Sequence, residues 1–517
     1  MSTSTKDFPS ESTTLLPKHA AAAVSVSDPK PKFTGFTAAF KNAFSVPTNF
    51  KAIWTRGIVA RGGGSFDALD GLRALAFFWV VLFHCQLWAI SMRGVGPVLQ
   101  PLAAVGDSGV TLFLVLSGFL LAHIMLKELE SESNEFNTKT LLHIVRSYGS
   151  FMWRRFARIY PSLIGVVIVV QGFTSIAHGY AFDEACGAPG ETPLPGIYRP
   201  MGIKAGGIWL PVLRNLLLVN NLYALDDGSD VCPHCPATCA PWTVSVEFQF
   251  YLALPFVVTL YWLNKGAGLA LAVSIYAVSL GTREGEWMWS FQYLICEYVA
   301  GAIAYLIVGK RGLNWINSFG KGKKDIMFLH IAQTFWFVVT TGFFVLMYVD
   351  MRYVDSNGSV VNYDTLPIDP IPRNASHMNQ PPAYIIEGKS FKTFGRPILA
   401  LSTATLIAIC CAISSDGFIQ QYKSDIPSKP FRAICAALSS SVLYPMASVS
   451  YTSYLGQGLV MNLVRFMPYS PELVGNGDRW WIFILVLTAD LLLGLLLSLT
   501  IERPMMKLLN VIRPKWV

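Results

Sequence analysis

Three short stretches of this sequence set residues capable of acid–base or anion chemistry inside otherwise apolar runs. In the first, DGLRALAFFWVVLFHCQ (residues 70–86), Arg73 stands eleven residues ahead of His84. On a helix, eleven steps return to within about 20° of the starting direction and advance about 16 Å, so the two share a face at two depths. If Arg73 lies near a membrane surface, His84 falls near the middle of a core about 30 Å thick. There an ionisable group is costly unless it faces protein or water. A neutral histidine hydrogen-bonded within a bundle is the plain alternative. Asp70 and Arg73 on the same face move the reading toward a site.

The second stretch, WRRFARIYP (153–161), carries Arg154, Arg155 and Arg158. Basic residues at the end of a span are ordinarily topological anchors, which suffices for Arg154. Arg155 and Arg158, three apart, project from one helical face and could grip a phosphate from two sides. The third, PWTVSVEFQFYL (241–252), places Glu247 and Gln249 several residues into an apolar run, where a carboxylate needs a cationic partner. Ser117 and Gly118 in TLFLVLSGFLL read, taken alone, as small-residue helix packing.

The elements that must position these groups follow from composition. The 517 residues are 53% hydrophobic and 14% charged, with a mean hydropathy of +0.44, as in a polytopic membrane protein. The net charge of +8 is scattered between apolar spans, which argues against a nucleic-acid partner and for a topological role. About ten apolar runs stand out, near 69–91, 104–126, 157–177, 242–263, 267–281, 289–309, 326–349, 395–414, 445–465 and 480–500. The expectation is an all-α transmembrane bundle of about ten spans with both termini cytosolic. Residues 1–64 read as a disordered cytosolic tail with no cleavable signal, 65–510 as the membrane domain, and 511–517 as a cytosolic C-terminal tail. Within the tail, ESTTLL (Glu11–Leu16) has the form of an acidic dileucine signal for a sorting adaptor. The pattern is short and common, so an ordinary tail is the default reading.

Three features agree on that orientation. Arg154, Arg155 and Arg158, then Lys310, Arg311, Lys321, Lys323 and Lys324, then Lys507, Arg513 and Lys515 all fall inside. The sequons at Asn357 and Asn374 fall in an extracytoplasmic loop, 350–394, where glycosylation occurs. The loop 179–241 is also extracytoplasmic and holds Cys186, Cys232, Cys235 and Cys239. Two disulfides of open pairing are favoured there over a zinc site built from Cys232, His234, Cys235 and Cys239. Cys85, Cys296, Cys410 and Cys411 sit in apolar spans and read as buried packing residues. The run 207–225, interrupted by Arg214, Asn215, Asn220 and Asn221, reads as a helix at the interface or facing a cavity.

The ordered set of motifs resembles the acyltransferase-3 family of integral-membrane acyltransferases. The resemblance rests on Arg73 and His84, ten residues between them, and then on the run from Gly109 to Phe119. Arg155 and Arg158 in RRFARIYP follow, then Trp242, Glu247, Gln249 and Tyr251, then SYTSYL at 450–455 and ERP at 502–504. The layout NLLLVNN followed by CAPWTVSVEFQFYL is also similar to the animal nose-resistant-to-fluoxetine branch. The family often continues its Tyr-Leu motif with Trp-His, where this chain has Gly456 and Gln457.

The resemblance implies transfer of an acyl group, usually acetyl, from cytosolic acyl-CoA to a hydroxyl of a lumenal or extracellular carbohydrate or lipid. It implies acyl-CoA as cosubstrate, with no permanently bound cofactor and no metal. His84 is then the general base or acyl carrier, with Arg73, Asp70 and Glu247 as its catalytic company. Arg155 and Arg158 take the CoA phosphates, and Ser117, Tyr160, Gln249 and Tyr454 line the substrate side. The compartment is an endomembrane such as Golgi, endosome or vacuole, or the plasma membrane. The alternative is a lipid or small-molecule transporter that uses the same fold without acyl transfer.

Overall fold

The computed structural model describes residues 36–55, 67–87, 102–103, 105–106, 108–133, 141–176, 209–219, 221, 241–282, 291–308, 323–355, 383–387, 391–413, 428–465 and 480–512. The dileucine motif, the sequons at Asn357 and Asn374, and Cys186, Cys232, Cys235 and Cys239 lie outside them.

The described chain is a helix bundle: α1 (Phe36–Ala43), α2 (Val46–Trp54), α3 (Asp67–Leu87), α4 (Ser108–Ser133), α5 (Leu141–Ile176), α6 (Trp209–Leu216), α7 (Pro241–Leu263), α8 (Lys265–Thr282), α9 (Phe291–Val308), α10 (Lys323–Asp350), α11 (Arg396–Ile413), α12 (Lys429–Leu438), α13 (Leu443–Arg465), α14 (Trp480–Leu497) and α15 (Arg503–Val511). Two π-helical turns, Phe391–Gly395 and Ser498–Glu502, lead into α11 and α15. The purely helical expectation misses one antiparallel ribbon, β1 (Met351–Asp355) with β2 (Ala383–Glu387), in register Met351 to Glu387. It falls in the loop expected at 350–394, where a sequence tuned to helical periods gives no warning of a strand.

Each of the ten apolar stretches has most of its described length in a helix. Among the described residues, eight helices are long and apolar enough to cross a membrane, or nine if α12 and α13, bent by 57° at their junction, make one span. The chain is an integral, multi-pass membrane protein. Helices α3, α4, α9 and α11 are mostly buried, whereas α8 and α10 expose most of their surface. Phe256, Ile168, Phe337 and Val338 are exposed, as apolar groups facing lipid should be.

The centre is held by close helix contacts through glycine. A Cβ on Gly118 of α4 would overlap the Tyr298 carbonyl of α9, and one on Gly301 of α9 would overlap the Val115 carbonyl of α4. Lipid tails offer helices no hydrophobic reason to associate, so small residues that let backbones approach supply the attraction by packing. The contacts advance together, since one turn onward the His123 Nδ1 meets the Tyr305 hydroxyl at 2.9 Å. The two helices therefore run in the same direction, as the second and sixth spans of an alternating topology must.

Two sequence expectations need correction. Residues 36–54 of the supposedly disordered tail form α1 and α2, which bury Ala39, Ala43 and Ile53 and pack on α15 and α13. Their amphipathic spacing was hidden by polar, Ser-rich surroundings. Cys410 is not a lone packing thiol, because it forms a disulfide with Cys435 and ties α11 to α12. Cys85 and Cys296 are buried, as expected, with Cys296 Sγ donating to Glu297 Oε2 at 3.0 Å, and Cys411 is half-buried.

Candidate functional site

The polar residues gather at two depths around α3. At its Asp67 end, Arg73 Nη1 lies 3.9 Å from Asp70 Oδ1, an i, i+3 pair in which Asp70 is buried. Asp70 and Arg73 thus form a long ion pair on one face of α3. Gly71 between them meets the Leu438 backbone of α12 so closely that a Cβ there would overlap it.

Glu247, on α7, accepts hydrogen bonds at Oε1 from the Ser117 hydroxyl at 2.9 Å and the Tyr251 hydroxyl at 2.6 Å. Gly118 is the packing residue that the sequence suggests. Ser117, its neighbour, is turned instead to the carboxylate. Arg155 is buried, with its guanidinium carbon 5.7 Å from the Phe151 ring centre and 5.9 Å from that of Tyr251. Its charge interacts with Glu247, Tyr298 and Arg158. Arg155 of α5 is thus a cation whose charge reaches Glu247.

Arg155 and Arg158 have different surroundings. Arg158 is half-buried and interacts with Tyr451 and Glu502, whereas Arg155 is turned inward to the α7 carboxylate. Positions three apart on a helix diverge by about 60°. Because α5 packs against α7 as well as α13 and α15, that divergence sends the two side chains to different neighbours. Pro161, inside α5, removes an N–H donor one turn after Ala157 and loosens the helix just past the cluster. The π-helical turn Ser498–Glu502 carries the buried Glu502 to within electrostatic reach of Arg158, Arg503 and Arg73. Such turns re-aim side chains by one position.

The third arginine, Arg154, departs from the other two. Its side chain is 42% exposed and pairs with Glu128 Oε2 at 2.9 Å, while the Ser150 hydroxyl also donates to Glu128. This agrees with its reading as an anchor. Gln249 exchanges two hydrogen bonds with Asn221, at 3.0 and 3.3 Å. The Tyr160 hydroxyl donates to the Leu216 carbonyl at the end of α6. Both residues thus brace the 207–225 segment, whose Leu218 turns the chain at a φ of 57°. Tyr454 is buried and hydrogen-bonds Thr243.

Farther along α3, His84 is half-buried and its Nδ1 lies 2.9 Å from Gln457 Oε1 of α13. Gln457 lies within electrostatic reach of the fully buried Asp490 of α14, and Gln457 Nε2 and both Asp490 oxygens are buried with no hydrogen-bond partner. Tyr298 and Asp490 are not among the residues the sequence singles out, and Tyr451 enters only within the SYTSYL motif. A lone carboxylate in WWIFILVLTADLLLGLLL is a signal that could have found Asp490. Tyr298 stands among many other aromatics and carries none. Among the described residues no group of three or more His, Cys, Asp or Glu side chains is arranged to hold a metal ion.

Two curated proteins are similar to parts of the chain. The peptidoglycan O-acetyltransferase OatA of Listeria monocytogenes is 25% identical over 224 residues, which are 43% of this chain and 28% of that protein. The regulator of hypoxia-inducible factor 1 of Caenorhabditis elegans is 22% identical over 243 residues, 44% of this chain and 41% of that protein. The chain thus spans less than half the length of either relative, and no solved structure matches it. The family model described as an acyltransferase domain, acyltransferase-3, matches residues 66–502, a stretch that holds the Arg73, Arg155 and Arg158 cluster, Glu247, His84 and Gln457. The chain belongs to the acyltransferase-3 family.

Proposed function

We propose that the protein is a membrane O-acyltransferase that moves an acyl group, acetyl in the simplest case, from cytosolic acyl-CoA to a hydroxyl of a carbohydrate or lipid on the opposite face. The observation that carries this reading is the placement of Arg73 and His84 on the one unbroken helix α3. Arg73 sits in a cluster of basic residues, and His84 lies about 16 Å farther along. The relative named as a peptidoglycan O-acetyltransferase supports the acceptor chemistry. The orientation with the termini in the cytosol puts the arginines on the side where acyl-CoA is found.

Arg158, Arg73 and Arg503 bind the CoA phosphates by charge-assisted hydrogen bonds, and Glu502 spaces them. Arg155 and Glu247, with Ser117 and Tyr251, form the buried floor of that binding region. His84 removes the proton from the acceptor hydroxyl, whose oxygen attacks the thioester carbonyl carbon as the C–O bond forms. The C–S bond then breaks, and the CoA thiolate takes the proton from the imidazolium. The products are the ester and free CoA, and His84 returns to its neutral state.

The test uses the purified full chain in lipid nanodiscs, supplied with acetyl-CoA labelled in the acetyl group and with lipid or oligosaccharide acceptors. CoA thiol release coupled to gain of one acetyl mass on an acceptor, abolished by His84→Ala, is the expected result. Transport of lipid that needs no acyl-CoA and survives loss of Arg158 would replace this reading with the transporter.

A further inference from the structure

Helices α13 and α14 run antiparallel and touch through small residues. A Cβ on Gly494 would overlap Ser453, and one on Gly456 would come within 2.8 Å of the Leu493 side chain. The Thr452 hydroxyl donates to the Gly494 carbonyl at 2.9 Å. Four residues on from Ser453 is Gln457, and four residues back from Gly494 is Asp490. In an antiparallel pair those shifts lead to the same level, one turn along the seam. The geometry thus sets Gln457 opposite Asp490, both buried. Helix α3 packs on both. It brings His84 Nδ1 to 2.9 Å from Gln457 Oε1, and Cys85, the residue after His84, comes within electrostatic reach of Asp490.

We propose that Gln457 is a positioning residue for His84, and that Asp490 fixes which end of the Gln457 amide the imidazole meets. An amide donates only from nitrogen and accepts only at oxygen, whereas a carboxylate accepts. Gln457 Nε2 and both Asp490 oxygens are buried with no hydrogen-bond partner, so the nitrogen end is left to an ionised Asp490 across the seam and Oε1 to the histidine. An oxygen acceptor requires Nδ1 to carry the imidazole proton, so the free lone pair is on Nε2. The row Asp490, Gln457, His84 holds one tautomer and one ring orientation, with the base nitrogen directed away from α13. The interposed amide spares the imidazole a direct buried charge. Gly456 leaves room for the Leu493 side chain, which a Cβ there would have to displace.

The catalytic consequence rests on the acyl-transfer reading of His84, but the tautomer does not. The test therefore has two readouts on the full chain in nanodiscs. In 15N spectra of histidine-labelled protein, the signal assigned to His84 by its loss in His84→Ala should show the Nδ1–H tautomer, and Gln457→Leu should release it to the Nε2–H form. In acetyl transfer, Gln457→Leu should lower kcat about 100-fold while KM for acetyl-CoA stays within twofold. The double variant Gln457→Glu, Asp490→Asn exchanges carboxyl and amide yet keeps an acceptor facing Nδ1, and should recover kcat to within about tenfold of the wild type. An Nε2–H tautomer in the wild-type protein, or an unchanged kcat in Gln457→Leu, would overturn the proposal. If Gln457→Leu fails to fold, the wild-type spectrum and the double variant decide. An Nδ1–H tautomer in a protein that transfers no acetyl would sink the acyl-transfer reading and leave the positioning role standing.

Discussion

The two ends of the polar track along α3 are built on opposite principles. Around Arg73 the side chains are charged and of both signs: Arg155, Arg158 and Arg503 stand among Glu247 and Glu502. Around His84 the chain is Asp490, Gln457 and an imidazole, with a single carboxyl group set back behind an amide. A highly charged, polyanionic group such as a nucleotide phosphate calls for many cations kept apart by carboxylates, which also stop the empty site from repelling itself. A proton acceptor calls instead for one fixed lone pair and few competing charges. The difference teaches that one end is arranged to bind and the other to react, and substitutions in each should then fail in different ways.

The sharpest break is His84→Ala. It should lower kcat for acetyl transfer about 1,000-fold, within the range typical of a lost general base, while acetyl-CoA affinity measured by calorimetry stays the same. A matching loss of affinity would merge the two regions into one and undo the comparison.

Next in size is Glu247→Ala, which should damage the fold rather than the reaction. It leaves Arg155 buried over the Phe151 and Tyr251 rings without its counter-charge and strands the Ser117 and Tyr251 hydroxyls. Removing one partner of a buried charge pair typically costs about 3–5 kcal/mol. The expected outcome is a large drop in thermal stability in detergent, with Ser117→Ala costing only about 1 kcal/mol. A stable Glu247→Ala protein that has lost turnover would move Glu247 from the floor of the site into its chemistry.

These variants also show what the sequence made legible. Arg73, His84 and Asp70 were readable because they sit on one uninterrupted helix, where spacing alone fixes direction. The need of Glu247 for a cationic partner was readable as well, since a carboxylate in an apolar run must have one. Which arginine answers it was not, because that depends on how α5 and α7 pack, and no spacing within either helix encodes it. The different surroundings of Arg155 and Arg158 were hidden for the same reason. Gln457 was visible only as a departure from a motif, and its contact with His84 spans 373 positions of sequence. The ten apolar stretches were legible because their composition alone sets them apart, whereas α1 and α2 gain their order from the surface of α13 and α15.

Arg158→Ala should raise the dissociation constant for acetyl-CoA about 10- to 100-fold, as the loss of one or two charge-assisted hydrogen bonds does, with kcat at saturation nearly unchanged. Raising the ionic strength should weaken wild-type binding and weaken the variant less, because one screened charge is already gone. A fall in kcat at unchanged affinity would place Arg158 on the reacting side.

The smallest effect is the most discriminating, because it concerns the neighbour of Arg155 in the same motif. Arg154 is exposed and its partner Glu128 keeps the Ser150 hydroxyl when the guanidinium is removed. The Arg154 end of the pair is exposed but Glu128 is buried, so its loss should cost between the ~1 kcal/mol of a surface pair and the ~3–5 kcal/mol of a buried one. Arg154→Ala should therefore lower thermal stability yet leave acetyl-CoA affinity within about twofold. If any basic residue at this end merely attracted the phosphates through the general field, Arg154 and Arg158 would weaken binding alike, since they stand only four residues apart. Equal losses would reduce the cluster to a positive surface. Unequal losses, with Arg158 much the larger, require the particular placement of Arg158 beside Tyr451 and Glu502.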